Sequence, residues 1–261
     1  MTRAQWQRGK QTWERFGEME PYWSVLSHPQ YRSTALDGVG REAFFASGEA
    51  DIARTFDEIR RTVAPDFAPQ AALDFGCGVG RLAIPLARRC ARVVGLDVSQ
   101  AMLQEARANC DRLGVPHVEL AAAGPPGDTL AQVSGDFDLV HSFIVFQHIA
   151  PSAGWRIAED LLRRLQPGGV GALHFTFAWN AGLPRRLAHA VRRRVPLANA
   201  VANVLQRRPL RQPAMAMYEY DLRQLYTMLW AHGCPAVHAR LEEHAGHLGA
   251  MLLFRKADAP R

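Results

Sequence analysis

From Gln70 onward, short apolar runs bounded by turn residues alternate with longer segments whose apolar positions recur every three or four residues. The short runs predict strands over 70–75, 92–97 and 116–121, and the periodic segments predict helices over 79–90 and 99–113. Such alternation predicts a parallel sheet covered on both faces, because each parallel neighbour is reached by a crossover helix that packs back on the sheet. The pattern continues with an apolar strand within 136–149 and a helix over 151–165 that turns Trp155, Ala158, Leu161, Leu162 and Leu165 inward. The turn Gln166-Pro167-Gly168-Gly169 ends that helix before a strand over 170–177. A helix following Asp221, with Leu222, Leu225, Met228 and Leu229 inward, leads to closing strands over 235–241 and 247–254. Upstream, Ile52, Phe56, Ile59 and Val63 give 51–63 a helical spacing.

The chemistry concentrates where the first strand ends. In Asp74-Phe75-Gly76-Cys77-Gly78-Val79-Gly80-Arg81 a carboxylate precedes three alternating glycines, which let the chain turn sharply and bring backbone N–H groups close to a ligand. A dinucleotide fingerprint would need its third glycine at position 81, which is Arg81, so a pyrophosphate cofactor is disfavoured. The next strand, Arg92-Val93-Val94-Gly95-Leu96-Asp97-Val98-Ser99, also ends in an acid, and Asp97 lies 21 residues after Gly76. In a right-handed βαβ unit that spacing sets the acid beside the glycine loop, where it can accept hydrogen bonds from a ribose diol.

The ordered pair Asp-x-Gly-x-Gly-x-Gly and Gly-Leu-Asp-Val-Ser resembles the class I S-adenosylmethionine (SAM) dependent methyltransferases, as does Leu165-Gln166-Pro167-Gly168-Gly169. The resemblance covers 70–177 by motif and 218–256 by order of elements. It implies an α/β, Rossmann-like fold: a seven-stranded, mostly parallel sheet with helices on both faces, an N-terminal helical lid and a helical insertion after strand 5. It implies SAM as cofactor and S-adenosylhomocysteine (SAH) as product. By the same resemblance Asp74, Gly76, Cys77, Gly78 and Gly80 hold the methionine portion, and Asp97, with Val98 beside it, holds the ribose. Met102, Ala122, Ser142 and Phe143 enclose the adenine side, and Ser47 and Gly48 cross the methionine end. Many members place an acid on the adenine amine where this chain has Ala121-Ala122-Ala123; a backbone contact, or Asp128, would replace it. His148, after the fourth strand, is either a general base for an acceptor proton or a group that shapes the pocket. The Asn-Pro-Pro-Tyr and Pro-Cys motifs of other members are absent.

Residues 1–65 are expected to form an N-terminal extension on a methyltransferase domain over 66–261. Their aromatics, among them Trp6, Trp13, Phe16, Tyr22, Trp23, Tyr31, Phe44 and Phe45, make either a cap packed on the sheet or a lid that excludes water, with Tyr22 and Trp23 then facing the acceptor. Tyr218 and Tyr220 sit where a returning segment either re-enters the cleft or anchors the next helix. Between them and strand 5, apolar residues at helical spacing predict two short amphipathic helices in an insertion at about 178–213.

Charge adds one feature. The chain of 261 residues carries +6 overall, but 161–218 contains ten arginines and no acid. That stripe fits a solvated helix face, an anionic small acceptor held by arginine forks, or peripheral contact with an acidic membrane or nucleic acid. No nucleic-acid-binding module is recognisable, and no apolar run is long enough to span a membrane, so a cytoplasmic, soluble enzyme is expected. Cys77, Cys90, Cys110 and Cys234 form no Cys-x-x-Cys pair, and His244 and His247 are too isolated to suggest a metal site. The expected function is methyl transfer to an oxygen or nitrogen of a small, anionic or sugar-like acceptor. Its rivals are RNA or protein methylation, a SAM-binding protein without transferase activity and, more remotely, a NAD-dependent oxidoreductase.

Overall fold

A computed structural model of the chain describes residues 3–180, 201, 203, 212–244 and 246–258. Strands β1 (Ala71–Phe75), β2 (Arg92–Asp97), β3 (Glu119–Ala122), β4 (Phe137–Ser142), β5 (Leu165–Trp179), β6 (Val237–His244) and β7 (His247–Arg255) form one sheet in the order β3-β2-β1-β4-β5-β7-β6. All pairs are parallel except those made by β7, which runs antiparallel to both β5 and β6. The chain starts in the middle at β1 and winds outward in both directions, so the strand order reverses between β1 and β4. Ligands in open α/β sheets bind outside the carboxyl ends of the strands at that point.

The helices are α1 (Arg3–Met19), α2 (Pro21–Val25), α3 (Gly38–Thr62), α4 (Ala83–Ala87), α5 (Gln100–Arg112), α6 (Pro151–Arg163) and α7 (Leu222–Ala231). The sheet's apolar residues divide between two cores. Ala72, Val93, Val170 and Leu253 face the side covered by α3, α4 and α5, whereas Leu73, Val94, Val140 and Leu252 face α6 and α7. Ser99 caps α5 by accepting the Met102 N–H at 3.2 Å, as its position predicts.

Several boundaries differ from the periodicity. The helix expected over 79–90 forms only over Ala83–Ala87, because Gly78 (φ +52°) and Gly80 (φ +87°) hold the loop left-handed and delay the first helical turn. The helix expected over 51–63 begins at Gly38, where Asp37 accepts the Gly40 N–H at 2.7 Å. β5 already starts at Leu165, its register skipping from Phe137↔Leu165 to Leu139↔Val170 across the Pro-Gly-Gly turn. The two helices expected in the 178–213 insertion, with all eight of its arginines, lie outside the described residues.

The aromatics of the N-terminal segment divide between two places. Tyr22, Trp23, Tyr31, Phe44 and Phe45 are buried in the α3-side core, as is Phe16. Trp6 and Trp13, with one side of Phe16, line a cavity at the carboxyl edge of the sheet.

Candidate active site

That cavity measures about 460 Å³, within the ~300–1,000 Å³ of small-molecule sites. Its floor is the end of β1 and the glycine loop (Phe75, Gly76, Gly78), its back wall Asp97, Val98 and Met102 after β2, and its side wall Phe143, Ile144 and Val145 after β4. α1 closes it with Gln5, Arg8, Lys10 and Trp13, and His148, Ala214, Met215, Ala216 and Tyr218 close the far end. Elements distant in sequence meet here because each parallel strand delivers its following loop to the same edge.

Asp97 is the best-defined polar group of this cavity. Its Oδ2 accepts the Gly78 N–H at 3.0 Å and its Oδ1 accepts the Ser99 N–H at 2.9 Å. Burial raises its pKa to about 6; the N–H groups of Ser99, Gly78 and Val98 pull it down, and the neighbouring Asp74 charge adds to the rise. Asp74, one residue before the end of β1, is almost fully buried, its Oδ1 2.8 Å from His141 Nδ1 and its Oδ2 without a partner among the described residues. A carboxylate offers about four lone-pair directions, so both acids keep acceptor capacity unused by the protein.

His148 lines the cavity, but the surroundings oppose a base role. Its Nδ1 donates to Ala216 O at 2.9 Å and its Nε2 faces the Gln147 amide nitrogen at 3.1 Å, with the Trp13 ring edge-on at a 5.0 Å centroid distance. Burial lowers its pKa to about 4, only partly countered by the Ala216 bond. The imidazole is therefore neutral at pH 7 with a weakly basic lone pair that is already engaged. Its clearest work is to tie the 214–218 segment to the turn after β4.

Gly76, Gly78, Asp97, Val98, Met102, Phe143, His148 and Tyr218 thus line one cavity, and the other residues expected at the site, Asp74 among them, do not. Ser47 and Gly48 lie behind the glycine loop: Ser47 Oγ accepts from Arg81 Nη1 at 3.1 Å, and a Cβ on Gly48 would stand 2.2 Å from Arg81 O. They seat α3 on the loop. Arg81, where a dinucleotide fold has glycine, reaches Asp51 Oδ2 at 2.7 Å and reinforces that seat. Cys77 and Gly80 are buried against Gly95 and Ile84, on the loop's inner side. Ser142 donates to Phe75 O at 3.0 Å, and Ala122 pairs with Asp97 across β2 and β3. Tyr22 turns its hydroxyl to Glu105 and Asn109 at 2.6 and 2.9 Å, its pKa pushed up to about 12 mainly by burial, and Trp23 lies under the Arg32 guanidinium at 3.5 Å. Tyr220 donates to Ile149 O at 2.8 Å inside the α6-side core. Asp128 is exposed, and the loop around it is held by Asp160, which accepts from Gly127 and Thr129.

Three features escaped the sequence reading. Arg8 and Lys10 face the cavity although α1 reads as a polar helix, because only docking decides which of its polar residues turn inward. Ile144, a β-branched residue, is held at φ +59° where β4 runs into the cavity wall, a strained conformation of the kind that collects at working sites. Glu14 accepts the N–H groups of Gln100 and Ala101 at 2.7 and 3.1 Å, so a carboxylate of α1 sits on the positive end of α5. Gly17 allows that approach, since a Cβ there would meet Ser99 Oγ at 2.8 Å. Glu14→Gln keeps one acceptor but removes the charge, a loss of about 1 kcal/mol. Tryptic cleavage within α1 is then expected to rise roughly fivefold as the helix opens more often. An unchanged cleavage rate would mean that the apolar contacts alone hold α1.

Residues 72–169 match a family profile described as a methyltransferase domain. Over 120 residues, 46% of each chain, the sequence is 37% identical to the ubiquinone biosynthesis O-methyltransferase of Ruegeria pomeroyi. Over 155 residues, 58% of this chain and 47% of the relative, it is 32% identical to the ribosomal protein L11 methyltransferase of Syntrophotalea carbinolica. The chain spans about half the length of these curated relatives. Among solved structures, magnesium protoporphyrin IX methyltransferase from Synechocystis with bound SAM superposes with a TM-score of 0.57 at 16% identity, over 95% of this chain and 97% of that one. The N-terminal domain of EvdMO1, in the presence of SAH and D-fucose, gives 0.52 at 19% identity over 80% and 83%. At such identities the likeness is one of fold.

Proposed function

We propose that the chain is a class I SAM-dependent methyltransferase, as the methyltransferase-domain match over residues 72–169 supports, and that it transfers the methyl group of SAM to an oxygen or nitrogen of a small, anionic acceptor. The observation that carries this reading is one cavity under α1 whose lining brings Gly76, Gly78, Asp97 and Met102 together with Arg8, Lys10, His148 and Tyr218. The residues fit the cofactor by their unused acceptor atoms. Asp97 offers both carboxylate oxygens to a vicinal diol, while Asp74 Oδ2, also without a partner among the described residues, lies buried off the cavity lining.

When bound, SAM supplies an electrophilic sulfonium methyl open to in-line displacement. The chain's part is positioning. Asp97 and the glycine loop fix the nucleoside, while Trp6, Trp13 and Phe16 exclude water from above. Arg8 and Lys10 draw an anionic group of the acceptor to the α1 side, a role that was one of three readings the sequence left open for the arginine-rich stretch. Neutral His148 holds the end wall rather than taking the proton. We further assign residues 1–65 as the lid and cap of this site.

Calorimetry tests the cofactor half directly: SAM binds and NAD does not. Only ionised Asp97 accepts both diol hydrogens, so with its pKa at about 6 the SAM affinity is expected to fall about tenfold between pH 7 and pH 5. The acceptor half is tested by methyl transfer to carboxylated phenols and phosphorylated sugars, set against peptides and RNA. The ribosomal-protein relative gives the rival its weight, and labelling of macromolecules alone would overturn the small-acceptor reading.

A further inference from the structure

A second cluster of chemically active side chains lies beyond the cavity, on the antiparallel half of the sheet. β7 runs between β5 and β6, with Met251 opposite both His174 and Arg240, and Gly249 opposite Glu242. Directly opposed residues and those two apart on a strand share a face, so His174 on β5 and Glu242 and His244 on β6 all project to the α3 side. The intervening strand would normally separate them. It does not, because Gly249 has no side chain: a Cβ there would stand 2.2 Å from His174 Nε2. Across this gap one ligand atom from each of His174, Glu242 and His244 comes within 4.8 Å of the others.

His174 is the informative member. It is fully buried, and neither ring nitrogen has a hydrogen-bond partner among the described residues. A buried imidazole with both nitrogens unused costs stability, and packing alone would favour an apolar residue here. Glu242 is oriented from outside: Arg240 donates to its Oε1 at 2.6 and 2.8 Å and is itself held by Glu58, leaving Oε2 turned to His244 Nε2 at 2.9 Å. Such outer partners are what fix metal-ligating carboxylates.

We propose that His174, Glu242 and His244 form a binding site for one divalent transition ion of the zinc type, clipping β6 to β5 across β7. Two imidazoles and one carboxylate suit zinc, cobalt or nickel and not magnesium or calcium, which take oxygen ligands. The His244 side chain is 38% exposed, which gives the ion access and leaves a fourth position toward solvent. Phe143 packs its ring on both histidines, at 5.3 and 5.8 Å between centroids, and also walls the cavity, so the clip would stiffen that wall. Side-chain rotation then brings the three ligand atoms, within 4.8 Å of one another, to the about 3.3–3.6 Å separations that zinc-ligand distances of about 2.0–2.2 Å require, and displaces the Glu242–His244 hydrogen bond.

The test uses the untagged full chain, stripped with a chelator and titrated with Zn²⁺ by calorimetry, then loaded with Co²⁺ for visible absorption. One Zn²⁺ per chain is expected, with tetrahedral cobalt bands and a higher melting temperature. His244→Ala and Glu242→Gln, both on a half-exposed edge strand, should each weaken Zn²⁺ binding at least about tenfold and abolish the cobalt bands and the thermal shift. Glu242→Gln preserves the side-chain shape, so a loss of binding with a normal circular dichroism spectrum separates ligation from folding. Failure of the wild-type chain to bind Zn²⁺ at micromolar concentration, or variants that bind as tightly as wild type, would overturn the site. Neither result depends on whether SAM binds.

Discussion

Asp97→Ala is expected to lower SAM affinity between tenfold and a hundredfold, about 1.4–2.7 kcal/mol, read by calorimetry at pH 7.5. Oδ2 accepts the Gly78 N–H and Oδ1 the Ser99 N–H, with the Val98 N–H close by, and the about four lone-pair directions of a carboxylate leave capacity for the ribose hydroxyls. Hydrogen bonds to a charged acceptor contribute about 1.5–3 kcal/mol each, and water recovers part of that when they are lost. Alanine also strands the Gly78 N–H, so the loop loses its tether at the point where the ligand lies. Asp97→Asn keeps one acceptor and should fall between the two. An affinity within twofold of wild type for Asp97→Ala would remove the ribose assignment, and with it the reading of the cavity as a nucleoside site.

The second large effect concerns folding. Gly48→Ala is expected to lower the melting temperature by roughly 6–12 °C, taking about 3 kcal/mol for severe overpacking and 2–4 °C per kcal/mol for a domain of this size. The added Cβ would stand 2.2 Å from the backbone oxygen of Arg81, so α3 must back away from the glycine loop and loosen the Arg81–Asp51 pair behind it. Gly38→Ala supplies the control within the same helix: nothing lies within 4 Å of its Cβ, and the change should be neutral or stabilising by less than about 1 kcal/mol. The pair also decides what Gly48 is for. A variant of unchanged stability that loses SAM affinity would return Gly48 to the cofactor, where the family resemblance sets it. A destabilised variant whose folded fraction binds SAM normally confirms that it seats α3.

The same residues show how far a one-dimensional reading reaches. Asp97 was legible because a strand ending in an acid, one crossover after a glycine loop, has only one place to go in a right-handed βαβ unit. Ser47 and Gly48 were not, because residues on a long helix can meet the loop from the cavity side or from behind, and only the buried Arg81 side chain decides which. His148 was legible as a cavity residue but not as a weak base, since its pKa depends on burial contributed by Trp13 and on the carbonyl of Ala216, both far away in the chain. The His174, Glu242 and His244 cluster could not be read at all. Its spacing matches no local ligand pattern, and it exists only because a glycine on the middle of three strands lets side chains from the outer two meet.

The sequence by itself determined the alternating strand and helix order, the glycine turn after β1 and the acid after β2, because these rest on local periodicity, glycine's conformational freedom and the fixed hand of the crossover. Only the tertiary structure decided which polar side chains of α1 face the cavity, which aromatics cap and which cover, and which histidines lose water or gain a carboxylate neighbour. Those outcomes depend on contacts between segments tens of residues or more apart, and a chain's local preferences carry no record of what it will be packed against.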